Sequence, residues 1–204
     1  MERQQHWESV WERSDPKRVS WFQARPDASL RFIEAADLPR TASILDVGGG
    51  ASSLVDSLLD DGYGHIGVLD LSAHAIALSR ERLGDRADSV EWYVGDVTSF
   101  RSPHPWDLWH DRAVLHFLTA PADQLAYRDA LLKALAPAGQ AVIASFGPDG
   151  PLKCSGLDVQ RHGADSLQTL LGPELELVQD ELIEHTTPGG TVQQFFFGRF
   201  CRVS

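Results

Sequence analysis

Three aspartates sit where short apolar runs break into loops, and their spacing is the first chemical signal in the chain. Asp46 lies in Ser43-Ile44-Leu45-Asp46-Val47, which gives way to Gly48-Gly49-Gly50-Ala51-Ser52; Asp70 ends His65-Ile66-Gly67-Val68-Leu69-Asp70; Asp96 follows Val90-Glu91-Trp92-Tyr93-Val94 in the loop Gly95-Asp96-Val97. The glycines permit close backbone approach to a ligand and open a helix N-terminus. A dinucleotide loop would not place an acid two residues before Gly48, because the pyrophosphate sits over the helix start and a carboxylate would repel it. Ser53 also stands where that pattern wants its last glycine. Asp70 follows Asp46 by 24 residues, close to the offset of ~20 at which a strand-end acid accepts from ribose hydroxyls. Read alone, it suits helix capping beside Ser72 equally well. Asp96 can accept from the exocyclic amine of a purine, and Val97 can offer its backbone N–H and an apolar wall. Together the three acids describe a pocket for an adenosine that carries no phosphates.

A second group of ionisable residues is concentrated in Trp109-His110-Asp111-Arg112-Ala113-Val114-Leu115-His116. His110 or His116 could serve as a general base near neutral pH, Asp111 could orient a histidine or an amine, and Arg112 could clamp a carboxylate or phosphate. A bland reading competes: Asp111 and Arg112 as a structural ion pair, and His116 as a packed histidine among Val114, Leu115, Phe117 and Leu118. A metal on His110, Asp111 and His116 lacks a clear further ligand, and no metal is expected.

The elements that position these groups alternate as βαβ units do. Strands are expected at residues 43–47, 65–70, 90–94, 106–110 and 140–146. Helices are expected after Ser52 or Ser53, after Ser72 with Ala75, Ile76, Ser79 and Leu83 inward, and from Pro121 with Leu125, Leu131, Leu132 and Leu135 as the packing stripe. A short helix at 165–171 completes the alternation. The runs 175–183 and 191–200 are joined through Pro188-Gly189-Gly190 with no helix between them, which forces an antiparallel pair. The expected fold class is therefore α/β: a doubly wound mixed sheet, mostly parallel, with a C-terminal antiparallel hairpin and helices on both faces. Residues 1–204 read as a single domain, with an N-terminal helical lid and first helix at 1–40, a cofactor-binding core at 41–146, and an acceptor-side loop and hairpin at 147–204.

Composition excludes several alternatives. With 204 residues, 43% hydrophobic and 23% charged, the chain can bury roughly 70% of its unfolded surface and needs no staples. A net charge of −11 without a basic cluster argues against nucleic acid and anionic membrane as partners. The two cysteines, Cys154 and Cys201, form no CxxC, which favours a reducing compartment, and the polar start and the lack of a long apolar run point to a cytoplasmic protein.

At the three acid-bearing loops the sequence resembles the class I, seven-stranded S-adenosylmethionine-dependent methyltransferases. Leu45-Asp46-Val47-Gly48-Gly49-Gly50-Ala51-Ser52 is similar to the family's first motif, Leu69-Asp70-Leu71-Ser72 to its second-strand acid, and Gly95-Asp96-Val97 to its adenine loop. The resemblance implies that Gly48, Gly49 and Gly50 face the methionine end of the cofactor, that Asp70 holds both ribose hydroxyls, and that Asp96 with Val97 reads adenine. Ser52 replaces a glycine common in the family, which implies a slightly altered turn. The end of the fourth strand would lie beside the transferable methyl, which puts the acceptor near residues 109–116. Residues 109–118 and the turn-rich residues 148–156 resemble small bacterial methyltransferases of the type 11 and type 12 domains. Residues 7–11 and 20–23 are similar to N-terminal segments of protein-lysine methyltransferases, which fold over the cofactor; Trp21 reads as such a lid or as core.

The resemblance implies methyl transfer from S-adenosylmethionine to a small-molecule acceptor, with a protein lysine as the alternative. From another class, a nicotinamide-dependent oxidoreductase is disfavoured by Asp46 and Ser53. A non-catalytic cofactor-binding domain would dimerise through an aromatic edge strand at Phe195-Phe196-Phe197; the chain is otherwise expected to be a monomer or homodimer.

Overall fold

Alternate residues of a strand face opposite sides of its sheet, and this alternation organises the computed structural model, which describes residues 2–203. In chain order the strands are β1 (Ser43–Val47), β2 (His65–Asp70), β3 (Val90–Val94), β4 (Trp106–Arg112), β5 (Leu135–Phe146), β6 (Lys153–Cys154), β7 (Leu157–Asp158), β8 (Leu175–Thr186) and β9 (Val192–Arg202). The helices are α1 (Glu2–Arg13), α2 (Asp27–Glu34), α3 (Leu54–Asp60), α4 (Ala73–Leu83), α5 (Pro121–Ala134) and α6 (Ala164–Leu171). Strands β6 and β7 pair with each other, and the other seven form one sheet in the order β3-β2-β1-β4-β5-β9-β8. Strands β1 to β5 are parallel, and β9 runs antiparallel to both β5 and β8. The fold is thus the mixed, doubly wound sheet expected from the sequence.

On one face, Ile44, Val68, Leu108 and Val142 pack against Phe32 and Ile33 of α2 and Leu54 and Leu58 of α3. On the other, Leu45, Trp109, Ala141 and Ile143 pack against Tyr127 and Leu131 of α5 and Leu167 of α6. Consecutive residues therefore report to different layers. No described helix is long and apolar enough to cross a membrane.

Three local expectations are corrected. The buried stripe of α5 is Tyr127, Ala130, Leu131 and Ala134, a helical i, i+3, i+4, i+7 set, which turns Leu125 outward to 55% exposure. Strand β5 begins at Leu135, ahead of the Pro137-Ala138-Gly139 stop, because Leu135 already pairs with Trp106 across an irregular register. Phe195, Phe196 and Phe197 do not form an edge: β9 lies between β5 and β8, and all three rings are buried. They are core, so self-association through them is ruled out; β8 is the edge.

Helix α4 matches its expected stripe, with Ala75, Ile76, Ser79 and Leu83 buried and Ser72 capping it by accepting from the Ala75 N–H at 3.0 Å. A residue the sequence did not single out completes this end. The Glu8 carboxylate of α1 accepts from Ser72 Oγ at 2.7 Å and from the backbone N–H of Ala73 and His74 at 2.8 and 3.2 Å. A carboxylate at a helix N-terminus meets orphan donors and the positive end of the dipole. Partial burial pushes its pKa up, but these hydrogen bonds hold it below the usual carboxylate value.

Candidate functional site

The carboxyl ends of β1, β2, β3 and β4 open on one cleft. Asp70, Leu71, Asp96 and Val97 line it together with Gly48, and α1 covers it with Arg3, Trp7 and Trp11. Backbone bonds fix the loops to one another: Gly48 N–H donates to Leu69 O at 2.6 Å, and Gly95 N–H to Asp70 O at 2.9 Å.

The glycine turn is forced by its geometry. Gly48 has a φ of +70°, and a side chain there would run into Val114. At Gly50 an added Cβ would meet Asp70 Oδ2 at 2.5 Å, so the second acid sits directly against the first loop. The far side of the turn is held by Ser79 of the expected α4 stripe and by Arg82, which the sequence reading did not single out. Ser79 Oγ donates to Gly50 O at 2.5 Å, and Arg82 donates to Ser52 O at 2.7 Å while bonding Asp56 through Nε and Nη2. Ser53 holds the N-cap position of α3 without a side-chain cap bond, and Ser52 Oγ accepts from the Leu54 N–H at 3.1 Å.

The three acids differ in state. Asp70 accepts from Ser72 N–H at 2.8 Å; burial, helped by the Asp46 charge, nevertheless raises its pKa to about 7. Asp96 accepts from the N–H and Oγ1 of Thr98 at 2.9 and 2.7 Å and lies 3.8 Å from Arg3. Asp46 lines a second, adjoining cavity with Gly49 and Ser52. Its Oδ1 accepts from His110 Nδ1 at 2.7 Å, and its buried Oδ2 has no partner.

The second group of candidates is split apart. His110 projects towards α2, with Nδ1 on Asp46 and Nε2 at 2.9 Å from Ser29 Oγ. Both ring nitrogens are engaged, so the ring orients Asp46 and has no nitrogen left for an acceptor proton. Asp111 projects to the opposite layer and lines neither cavity. It accepts from the Val114 and Leu115 N–H groups at 2.8 and 3.1 Å and from Tyr127 Oη at 2.7 Å, and Tyr127 Oη in turn accepts from Trp109 Nε1 at 3.0 Å. Burial raises the Asp111 pKa to about 6. The expected Asp111–Arg112 ion pair does not form, because neighbours in a strand point to opposite faces. The three candidate metal ligands do not converge either.

Arg112 and His116 do reach the cleft. The Arg112 guanidinium donates to Trp21 O at 3.1 Å and lies over the Phe195 ring at 4.9 Å. Burial lowers its pKa to about 10. His116 stacks on Phe117 and Phe146, and burial lowers its pKa to about 3, so the ring is neutral at physiological pH. Trp21 is one member of an aromatic group over the cleft, edge-on to Trp7 and Trp11 at 5.9 and 5.7 Å. Trp7 also meets Phe117 at 4.9 Å, which ties α1 to the loop after β4. Cys154 of β6 lines the same end of the cleft.

Residues 45–141 match the family model described as a methyltransferase domain. No curated protein matches the sequence. Among solved structures, one described for the conversion of a disulfide bond into a thioacetal group during echinomycin biosynthesis is 21% identical, covering 98% of this chain and 92% of its own, with a TM-score of 0.80. The N-methyltransferase NodS from Bradyrhizobium japonicum, in complex with S-adenosyl-L-homocysteine, is 21% identical over 98% of both chains, with a TM-score of 0.76. The Burkholderia thailandensis 1,6-didemethyltoxoflavin-N1-methyltransferase, with 1,6-didemethyltoxoflavin and S-adenosylhomocysteine bound, is 19% identical over 96% of this chain and 81% of its own, with a TM-score of 0.69. The fold is that of the class I methyltransferases.

Proposed function

From a core whose residues 45–141 match the methyltransferase domain, we propose that the protein is an S-adenosylmethionine-dependent methyltransferase acting on a small molecule. The observation that carries this reading is the meeting of Gly48, Asp70, Leu71, Asp96 and Val97 on one cleft. The residues fit the cofactor. Asp70 can accept from both ribose hydroxyls, Asp96 from the adenine amine, and the unpartnered Asp46 Oδ2 from the methionine ammonium, beside a glycine turn that leaves room for backbone contact. Bound there, S-adenosylmethionine would supply an electrophilic methyl to a lone pair of the acceptor.

What the chain contributes is position and exclusion of water. Trp7, Trp11 and Trp21 close the cleft from above, and Phe117, Phe146 and Phe195 wall the side next to β4 and β9. No free base is supplied there by the expected candidates. His110 and Asp111 are fully engaged, and His116 has lost most of its basicity. The acceptor therefore brings a nucleophile that needs no strong base. A guanidinium in the cleft also opposes a lysine ammonium, which supports a small-molecule acceptor over a protein lysine.

Calorimetry with S-adenosylhomocysteine and with NAD tests the cofactor, and transfer of labelled methyl from S-adenosylmethionine into a metabolite panel tests catalysis. Binding of S-adenosylhomocysteine without NAD is expected. Tighter binding of NAD overturns the reading.

A further inference from the structure

Arg112 is the one cation of the β4 end, and among the described residues no carboxylate comes within ion-pair distance of it. Its single hydrogen bond goes to a backbone carbonyl, Trp21 O, although a guanidinium carries five N–H donors. The adjacent carboxylates make no ion pair with it: Asp111 faces the other layer, and Asp46, whose charge favours the guanidinium from a distance, gives Oδ1 to His110. A half-buried cation with most of its donors unused calls for an explanation. His116 presents the same problem on the same cleft. The Phe146 N–H donates to its Nδ1 at 3.3 Å, which leaves the ring proton on Nε2, and buried Nε2 has no partner. One guanidinium with unused donors and one imidazole N–H without an acceptor thus share an end of the cleft walled by Phe117, Phe146 and Phe195.

We propose that Arg112 and His116 form an anion subsite for the methyl acceptor, which is accordingly a small, flat, apolar molecule carrying a carboxylate. The planar guanidinium fork fits a carboxylate in two-point fashion, and the aromatic walls suit the flat faces of the body attached to it. The neutral imidazole adds a donor without a second charge. Arg112 borders the second cavity as well, so the cofactor's own carboxylate is the other source of the same chemistry. The proposal rests on the methyltransferase reading, and the experiment separates the two.

Benzoate, cinnamate and indole-3-acetate, each against its primary amide, are titrated calorimetrically into the wild-type protein, both cofactor-free and saturated with S-adenosylhomocysteine. The expected result is at least one acid binding tenfold or more tighter than its amide. R112Q should abolish that preference while keeping S-adenosylhomocysteine affinity, and R112K, which retains charge without the fork, should keep part of it. H116F should reduce the preference severalfold. The proposal is overturned if no acid is preferred over its amide, or if R112Q keeps the preference. It is also overturned if R112Q weakens S-adenosylhomocysteine but not 5′-methylthioadenosine, since the guanidinium then holds the cofactor's carboxylate. If the wild type fails to bind S-adenosylhomocysteine yet still prefers acids, the methyltransferase reading fails and the anion subsite stands.

Discussion

Asp111 and Arg112 are consecutive in β4 and occupy opposite chemical situations. The carboxylate is buried with three donors on its two oxygens; the guanidinium stands at the cleft with one hydrogen bond. A fully used polar group holds the chain in place and has nothing left to offer a ligand. A group with unused donors or acceptors is held ready for one. By that criterion we assign Asp111, Tyr127 and His110 to the scaffold, and propose Asp70, the free oxygen of Asp46, Arg112 and His116 for the site.

The strongest way to break this division is at Asp111. Asp111→Ala strands two backbone N–H groups and the Tyr127 hydroxyl in the interior, and should cost about 3 to 5 kcal/mol in chemical denaturation. Molecules that remain folded should bind S-adenosylhomocysteine with unchanged affinity. A variant of undiminished stability would place Asp111 among the working groups instead. Asp70→Ala should show the reverse pattern, losing about 2 to 4 kcal/mol of S-adenosylhomocysteine affinity through two charge-assisted hydrogen bonds that do not add fully. Unchanged affinity removes Asp70 from the site.

Acidity sharpens the same contrast. Buried Asp70 keeps its proton to about 7 when no ligand is present, whereas hydroxyl donors favour the carboxylate. Binding should therefore release a proton near neutrality and tighten as the pH rises from about 6 to 8, seen as buffer-dependent binding enthalpy. Stability of the cofactor-free protein responds to the same group. Between the ordinary value of 3.8 and about 7, the folded chain holds a proton that the unfolded chain has released, so Asp70 lowers stability progressively as pH rises through that window. His116 and His162, depressed by burial to about 3 and about 4, act oppositely: the unfolded chain takes up their protons first, and stability falls as pH drops below about 6.5. Asp70→Asn should isolate the first effect, raising the thermal midpoint relative to wild type at pH 8 but not at pH 4. A difference that is the same at both pH values excludes titration of Asp70. The smallest effect is expected at Glu8, where Glu8→Gln weakens the contact of α1 with the α4 N-terminus by about 1 kcal/mol. It should appear as faster dissociation of S-adenosylhomocysteine in stopped flow with an unchanged far-ultraviolet spectrum.

How much of this was legible in the sequence depended on distance along the chain. Strand ends, the glycine turn and the α4 stripe are local patterns, and Asp46, Asp70 and Asp96 could be read from them. Whether a candidate is engaged is decided by partners far away. Ser29 lies 81 residues from His110, and Tyr127 lies 16 from Asp111; neither spacing signals contact. Glu8 reaches Ser72 across 64 residues and left no trace beyond being an acid in a polar helix. Leu125 failed because leucine alone does not fix a helix's rotation when Tyr127, Ala130 and Ala134 supply the buried stripe. The Phe195-Phe196-Phe197 run reads as an edge until the connection from β5 to β8 is known, which skips the position beside β5 that the hairpin then fills with β9.

That connection also bears on assembly. Strands β1 to β4, which bear Asp46, Asp70 and Arg112, pair with one another within residues 43–112, and β4 pairs on its other side with β5. Strand β8 precedes its hydrogen-bonding partner β9 in the chain, and β9 must enter the gap beside β5 to close the sheet. Contacts of short sequence separation form sooner than distant ones. Because Phe195 rides on β9, the wall facing Arg112 waits on the β5–β9 pairing, whose partners such as Phe146 and Phe195 are no further apart in the chain than Val47 and Asp111 of β1 and β4, and a pulse-labelling exchange experiment during refolding should see the two halves of one cleft gain protection together.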